Sequence, residues 1–347
     1  MKGKKHYNFV YLTNTPSFYK VNLCNEIAKT HSLLLVLYGY GSEAVNTVFD
    51  EENRYNFDVR FIHHGDSHKR NKLKTFINLH SLMRSITYDR VLYSGWETME
   101  YNIYSFFIQR KKNVVICEST IWESTMSGIK GWIKRKIISH MGAALPSGKP
   151  HKELFTSIDY KGTINTTGGV GLIHKREHEA TPPNKTLKYL FVGRLIELKN
   201  IGLLIETFNR NGKPLTIAGQ GILEKELKSK ANSNITFTGF IDNDKLGEIY
   251  QAHDVFILPS TYEAWGLVVE EALYWGLPVI VSNKIGSHPD LVEPYQSGIV
   301  FQLNEEESLD KAIDKMENNY NLYRKNVLSI DWNQREVEQI EAYTSLL

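Results

Sequence analysis

Short apolar runs of strand length, separated by segments whose apolar residues recur at helical spacing, run through this chain in two series. In the first half the runs are residues 8–12, 32–38, 59–62, 90–93, 113–117 and 141–145, with helical spacing in 18–30 and 73–87 between them. Strands alternating with helices cannot turn back as tight hairpins; they cross over, which predicts an α/β fold with a parallel sheet. The series breaks at 172–188, where His174-Lys175-Arg176-Glu177-His178-Glu179 precedes Thr181-Pro182-Pro183-Asn184. Two consecutive prolines continue neither a helix nor a central strand, so this stretch reads as a linker. The series then restarts, with strands at 187–192, 215–218, 235–238, 255–258 and 278–282 and helices at 201–209, 222–231, 245–252 and 267–274. No repeat of fixed period relates the halves; they share architecture only. The expectation is two Rossmann-like α/β domains facing one another across a cleft outside the carboxyl ends of their strands, where open sheets of this kind bind ligands.

Length agrees, since 347 residues suit two domains of about 150. With 41% apolar and 23% charged residues, disorder is excluded. A net charge of +2 excludes wholesale nucleic-acid binding and leaves any basic site local. Cys24 and Cys117 are the only cysteines, far apart, which excludes a disulfide framework or a zinc knuckle and fits a reducing compartment. Uncharged stretches such as 30–42 and 162–174 have 13 residues each, short of the ~18 needed to span a bilayer. Residues 1–5 are basic, but Thr13, Asn14 and Thr15 soon follow, so the apolar centre of a secretory signal is missing. The expected location is cytoplasmic.

The most informative stretch is Pro259-Ser260-Thr261-Tyr262-Glu263-Ala264-Trp265-Gly266-Leu267, continuing to Glu270 and Glu271. A buried strand ends, a turn follows and a helix opens near Gly266; its free amides and positive dipole end favour phosphate. Glu263 and Glu271 would repel a phosphate unless they accept hydrogen bonds from sugar or ribose hydroxyls. The plainer alternative is acids complementing a helix dipole on an amphipathic helix. Upstream, a strand runs into Gly193-Arg194, and Lys199 follows. Gly193 lets backbone approach closely, and the two cations can neutralise a diphosphate without a metal; a solvated loop pair is the plainer alternative. Gly219-Gln220-Gly221 and Gly239-Phe240 end the next two strands, either as tight turns or as a backbone edge open to a nucleotide with Phe240 near its base.

Taken in order, Gly193-Arg194 with Lys199, Gly219-Gln220-Gly221, Gly239-Phe240, Pro259-Ser260 with Glu263 and Glu271 at E-x7-E spacing, Gly276-Leu277-Pro278-Val279, Gly286 and Gly298 resemble the donor half of GT-B glycosyltransferases, in particular family 4. The likeness covers about 189–300. It implies a retaining, metal-independent transferase that takes a UDP- or GDP-sugar as co-substrate and needs no further cofactor. By the resemblance Arg194 and Lys199 bind the diphosphate, and Glu263 contacts donor-sugar hydroxyls. The amides of Ala264, Trp265, Gly266 and Leu267 hold phosphate or sugar, and Glu271 holds the ribose. The implied organisation is an acceptor-binding domain at 1–172, a linker at 173–186, a donor domain at 187–330 and a helix at 331–347 crossing back to the first domain.

The first half departs from the family's usual pattern. Where many members carry a glycine-rich loop, this chain has 13–20 without glycine, including Pro16 and Tyr19; where many carry a histidine, Cys117 runs into Glu118. Pro16, Tyr19 and Glu118 are the acceptor-side candidates, Glu118 being equally an ordinary acid near a helix start. His63, His64 and His140 show no ligand spacing and read as surface or packing residues. The basic stretches 69–74 and 132–138 suit a solvated helix face or, in the alternative, peripheral contact with an anionic membrane and a polyprenyl-linked acceptor. The expected function is hexose transfer to a hydroxyl of a glycan in bacterial-type surface polysaccharide synthesis. The rivals are a nucleotide-sugar epimerase or hydrolase on the same fold, and a silent sugar-nucleotide binding subunit.

Overall fold

The computed structural model describes residues 3–14, 16–38, 55–63, 69–96 and 98–347; Met1, Thr15 and His64, taken up above, lie outside them. The chain divides into two compact units, Met1–His174 with Asn333–Leu347, and Lys175–Trp332.

The first unit runs β1 (His6–Thr13), α1 (Phe18–Ile27), β2 (Leu33–Leu37), β3 (Asp58–Phe61), α2 (Lys72–Ser85), β4 (Thr87–Ser94), α3 (Met99–Tyr104), β5 (Asn113–Cys117), α4 (Gly128–Ser139), β6 (Ala143–Pro146), α5 (Lys149–Ser157) and β7 (Thr163–Ile164). Its strands form one parallel sheet in the order β3-β2-β1-β4-β5-β6-β7. Because successive strand side chains point to opposite faces, two cores form. Val10, Leu12, Val36, Val91 and Val115 pack with residues of α2, α3, α4 and α5 on one face. Phe9, Tyr11, Leu35, Leu92 and Ile116 pack on the other with α1 and with Ala342, Tyr343 and Leu346 from the end of the chain.

The second unit runs β8 (Tyr189–Val192), α6 (Ile201–Asn211), β9 (Leu215–Ala218), α7 (Glu224–Lys230), β10 (Ile235–Gly239), α8 (Asn243–Gln251), β11 (Val255–Leu258), α9 (Leu267–Tyr274), β12 (Val279–Ser282), β13 (Gly298–Phe301) and α10 (Ser308–Leu328). α11 (Trp332–Thr344) follows and, from Asn333 on, belongs to the first unit. The second sheet, also parallel, has the order β10-β9-β8-β11-β12-β13. β8, β11 and β12 are buried at every residue, which explains why they read as unbroken apolar runs rather than alternating ones. The stretch 174–184 holds neither helix nor strand. β13 and α10 stand beyond the elements expected from the sequence.

Candidate functional site

In the second sheet the chain steps outward from β8 to β9 and β10, then returns to the far side of β8 as β11. Connections leave β8 and β11 in opposite directions, so a crevice opens at their carboxyl ends, the place where open parallel sheets bind ligands. The segments that follow these two strands, 193–199 and 259–266, carry Gly193, Arg194, Lys199, Glu263, Ala264, Trp265 and Gly266 of the expected donor-side residues.

Backbone holds the first of these segments in place. Gly193 donates its N–H to Ala218 O (2.9 Å), Leu195 to Gln220 O (2.9 Å) and Gly219 to Gly239 O (2.8 Å). The carboxyl ends of β8, β9 and β10 are therefore one stitched edge. Glycine is required there: a Cβ on Gly219 would lie 1.9 Å from Gly193 O, and one on Gly221 2.3 Å from Leu195 O. Phe240 follows β10 and is exposed, two strands from β8 and so about 10 Å along the edge. Arg194 is exposed and forms no ion pair with any described residue. Lys199 closes a 3-10 turn (Glu197–Lys199), and left-handed Asn200 (φ 51°) leads into α6. Thr261 N–H bonds Leu198 O (2.9 Å), joining this turn to the segment after β11.

Across that junction the Lys199 ammonium forms an ion pair with Glu263 Oε1, both side chains being largely buried. Ser260 Oγ donates to the same carboxylate oxygen at 2.9 Å, and Ser282 Oγ donates to Ser260 O at 2.6 Å. Glu263 is fixed on its backbone too, its N–H bonding Lys284 O (3.0 Å) and its carbonyl accepting from Gly286 (2.9 Å). Gly266 adopts φ +87°, a conformation that suits glycine, and caps α9. Ala264 is half-buried, and Leu267 opens the helix. The Trp265 side chain is buried and its indole N–H bonds Glu270 Oε2 (3.1 Å), so the indole is structural and only the backbone of Trp265 belongs to the turn.

Glu271 accepts a hydrogen bond from the Tyr250 hydroxyl of α8 at 3.1 Å. Burial raises its carboxyl to about 7; the charge of Glu270 adds to this and the Tyr250 bond opposes it. A carboxyl poised near neutrality gains most from a ligand that donates hydroxyl hydrogen bonds to it. Ser260 and Tyr250 were not among the expected site residues. Ser260 had a signal, three residues before Glu263 at a strand end; Tyr250 had none, since only the packing of α8 on α9 brings it to Glu271.

In the first unit the equivalent crevice lies between the ends of β1 and β4. Glu118, just past β5, pairs with Lys20 Nζ of α1 at 2.9 Å. The same ammonium donates to Ser94 Oγ (3.1 Å), to which Thr13 Oγ1 also donates (3.3 Å). Burial alone would lower the Lys20 pKa, but the charge of Glu118 beside it holds it well above the usual lysine value. Tyr19 sits with its ring 5.6 Å from that ammonium, and its carbonyl accepts from Leu172 N (3.0 Å); Pro16 is buried just before α1. Lys20, Ser94 and Thr13 were not foreseen as partners of Glu118.

Residues 174–327 match the family model described as "Glycosyl transferases group 1". Among curated relatives, a GDP-mannose-dependent alpha-mannosyltransferase of Mycobacterium tuberculosis is 33% identical over 147 residues, 41% of this chain and 38% of that protein. The chain spans well under half the length of the curated relatives it matches. Among solved structures, the lipopolysaccharide outer core galactosyltransferase WaaB superposes with a TM-score of 0.71 over 98% of this chain and 99% of that one, at 12% identity. Anabaena HepE in complex with UDP-glucose gives 0.71 over 98% and 100%, at 15% identity. The fold is therefore the GT-B fold, two Rossmann-like domains in one chain.

Proposed function

We propose that this chain is a glycosyltransferase of family 4 that moves a hexose-like sugar from a nucleoside diphosphate to a hydroxyl of a glycan or lipid-linked glycan, with retention at the anomeric carbon. One observation carries the reading. At the switch point of the second sheet, a cation without an ion pair among the described residues (Arg194), a cation held by a carboxylate (Lys199 on Glu263) and a protonatable carboxyl (Glu271) stand on one rigid edge. Anion and polyol chemistry on one edge matches the two ends of a nucleotide sugar. The match of residues 174–327 to a glycosyl transferase family supports this, as does a fold shared with a protein solved with UDP-glucose.

In this reading Arg194 and Lys199 take the charge that grows on the diphosphate as its bond to the anomeric carbon breaks. Fixed cations in place before reaction cost no reorganisation, and removing one such group costs ~10²–10³-fold in rate. Glu263, tethered by Lys199 and Ser260, accepts hydrogen bonds from the departing sugar's hydroxyls. Glu271 accepts from the ribose, and Phe240 lies toward the base. The two cations do the electrostatic work that a divalent ion does elsewhere, so turnover is expected to survive EDTA. Glu118, paired with Lys20, stands on the acceptor side together with Pro16 and Tyr19. No helix among the described residues is long and apolar enough to cross a membrane. The proposed place of work is the cytoplasm, at the inner face of a membrane that carries the acceptor. The test is release of UDP or GDP from a panel of nucleotide sugars with and without glycan acceptors, and product NMR for the anomer. Donor conversion that ignores every acceptor would instead indicate an epimerase or hydrolase.

A further inference from the structure

The face of the first sheet covered by α2, α3 and α4 has an outer surface that the core does not explain. α2 buries Thr75, Leu79 and Met83 and turns Leu73 (71% exposed) and Ile77 outward. α4 buries Gly131 and Ile138 and turns out Ile129 (81%), Trp132 (56%) and Ile133, a stripe at helical spacing on the side away from the sheet. Between them the turn after α3 exposes Phe106 and Phe107. Phe107 lies 5.9 Å from Phe76 of α2, and Phe106 stacks at 4.7 Å on His140, which follows α4. Phe106 and Phe107 thus stand between α2 and the end of α4, and exposed apolar side chains on three elements covering one sheet face mark an interaction site.

The charges interleaved with them have a single sign. α2 carries Lys72, Lys74 and Arg84; the segment before β5 carries Arg110, Lys111 and Lys112; α4 carries Lys130, Lys134, Arg135 and Lys136. None of the three carries an acid, and Glu100 of the adjoining α3 is buried and bonded to Arg70. None of the ten cations forms an ion pair with a described residue. Arg110 and Lys134 bond only neutral groups, Ser139 O and Ser124 Oγ. On a chain whose net charge is +2, this is a strongly segregated field.

We infer that the outer face of α2, the 105–112 segment and α4 docks on an anionic lipid bilayer, with Trp132, Ile129 and Phe107 entering the headgroup boundary and the lysines meeting lipid phosphate. Exposed aromatic and aliphatic groups set among unpaired cations fit such a surface better than a folded protein partner, which would have to bury the charges or supply a matched acidic array. The inference rests on the reading above for its purpose, since a lipid-linked acceptor lies in a membrane, but docking itself needs no turnover.

The test is co-sedimentation of the full chain with phosphatidylcholine vesicles, with and without about 30% phosphatidylglycerol. The wild type is expected to bind only the anionic vesicles and to be released by high salt. Each cation near the surface contributes about fivefold, so Lys111→Gln/Lys130→Gln/Lys136→Gln is expected to bind about 10²-fold more weakly. Phe107→Ser/Trp132→Ser is expected to weaken binding to the anionic vesicles at every salt concentration at which the wild type binds them. All five positions are exposed, and an unchanged melting temperature would show that the variants fold. Absence of wild-type binding, variants that bind like the wild type, or equal affinity for duplex RNA in competition with vesicles would each overturn the inference. Titrating UDP and GDP into the same preparations separates the two proposals: nucleotide binding without vesicle binding rejects only the docking face, and the reverse rejects only the donor site.

Discussion

Replacing Glu271 with Gln keeps the shape of the side chain and removes its titration. The wild-type carboxyl rises from 4.5 to about 7, through burial first and then the nearby charge of Glu270, against the hydrogen bond from Tyr250. Between pH 4.5 and 7 the unfolded chain has released this proton while the folded chain keeps it. The folded state therefore binds more protons, and stability falls as pH rises through that window. At 1.36 kcal/mol per unit the loss comes to about 3 kcal/mol and is complete above pH 7. Glu271→Gln is expected to match the wild type near pH 4 and to exceed it at pH 8 by up to that amount, several degrees in melting temperature. Ligand binding carries the opposite sign. Ribose hydroxyls donating to the carboxylate favour its charged form, so a nucleoside diphosphate is expected to release a proton near pH 6.5 and to bind more tightly as pH rises to 7. Thermal melts from pH 4 to 8 and calorimetry in two buffers of different ionisation enthalpy read both effects. Parallel melting profiles for the two proteins would refute the reasoning about burial, and binding without proton release would refute the ribose assignment.

Lys199→Met strands the Glu263 carboxylate with only Ser260, and is expected to lower turnover by ~10²–10³-fold; Glu263→Gln is expected to act on the rate more than on nucleotide affinity, which separate kcat and Kd measurements test. Gly219→Ala sets a methyl group against Gly193 O and is expected to cost roughly 2–4 kcal/mol in urea denaturation while loosening the whole strand edge. Lys20→Met leaves Glu118 without its cation and is expected to cost about 1–3 kcal/mol, with Lys20→Arg recovering part of it; equal melting temperatures for all three proteins would remove the pair from the argument.

The fully buried strands were the easiest part to read from the chain. β8, β11 and β12 stand within two residues of their expected places, because each is apolar, save Ser282 at the end of β12, and stops at a glycine, a proline or a polar turn. β13 begins on Gly298 and β7 has two residues, lengths and residue types that carry no periodic signal. Within the site, Lys199 and Glu263 could each be singled out in advance as charged residues that follow buried strands, whereas their ion pair depends on β8 and β11 lying side by side in the sheet. Lys20 could not: a lysine in the first turn of a helix looks solvated, and only the order β1-β4-β5 brings the end of β5, with Glu118, to within 2.9 Å of it. Tyr250 and Trp265 are similar cases, polar tips of aromatic residues that pack as core and whose hydrogen-bond partners depend on how α8 and α9 lie on the sheet.

The most direct measurement is calorimetric titration of UDP and GDP into the full-length wild type and into Arg194→Ala, a substitution at an exposed side chain that no described residue pairs with. Saturable one-to-one binding of at least one nucleotide by the wild type, weakened tenfold or more in the variant, is the expected result for a diphosphate held at the carboxyl ends of β8 and β11. Binding of neither nucleotide, or the same affinity in both proteins, would contradict it.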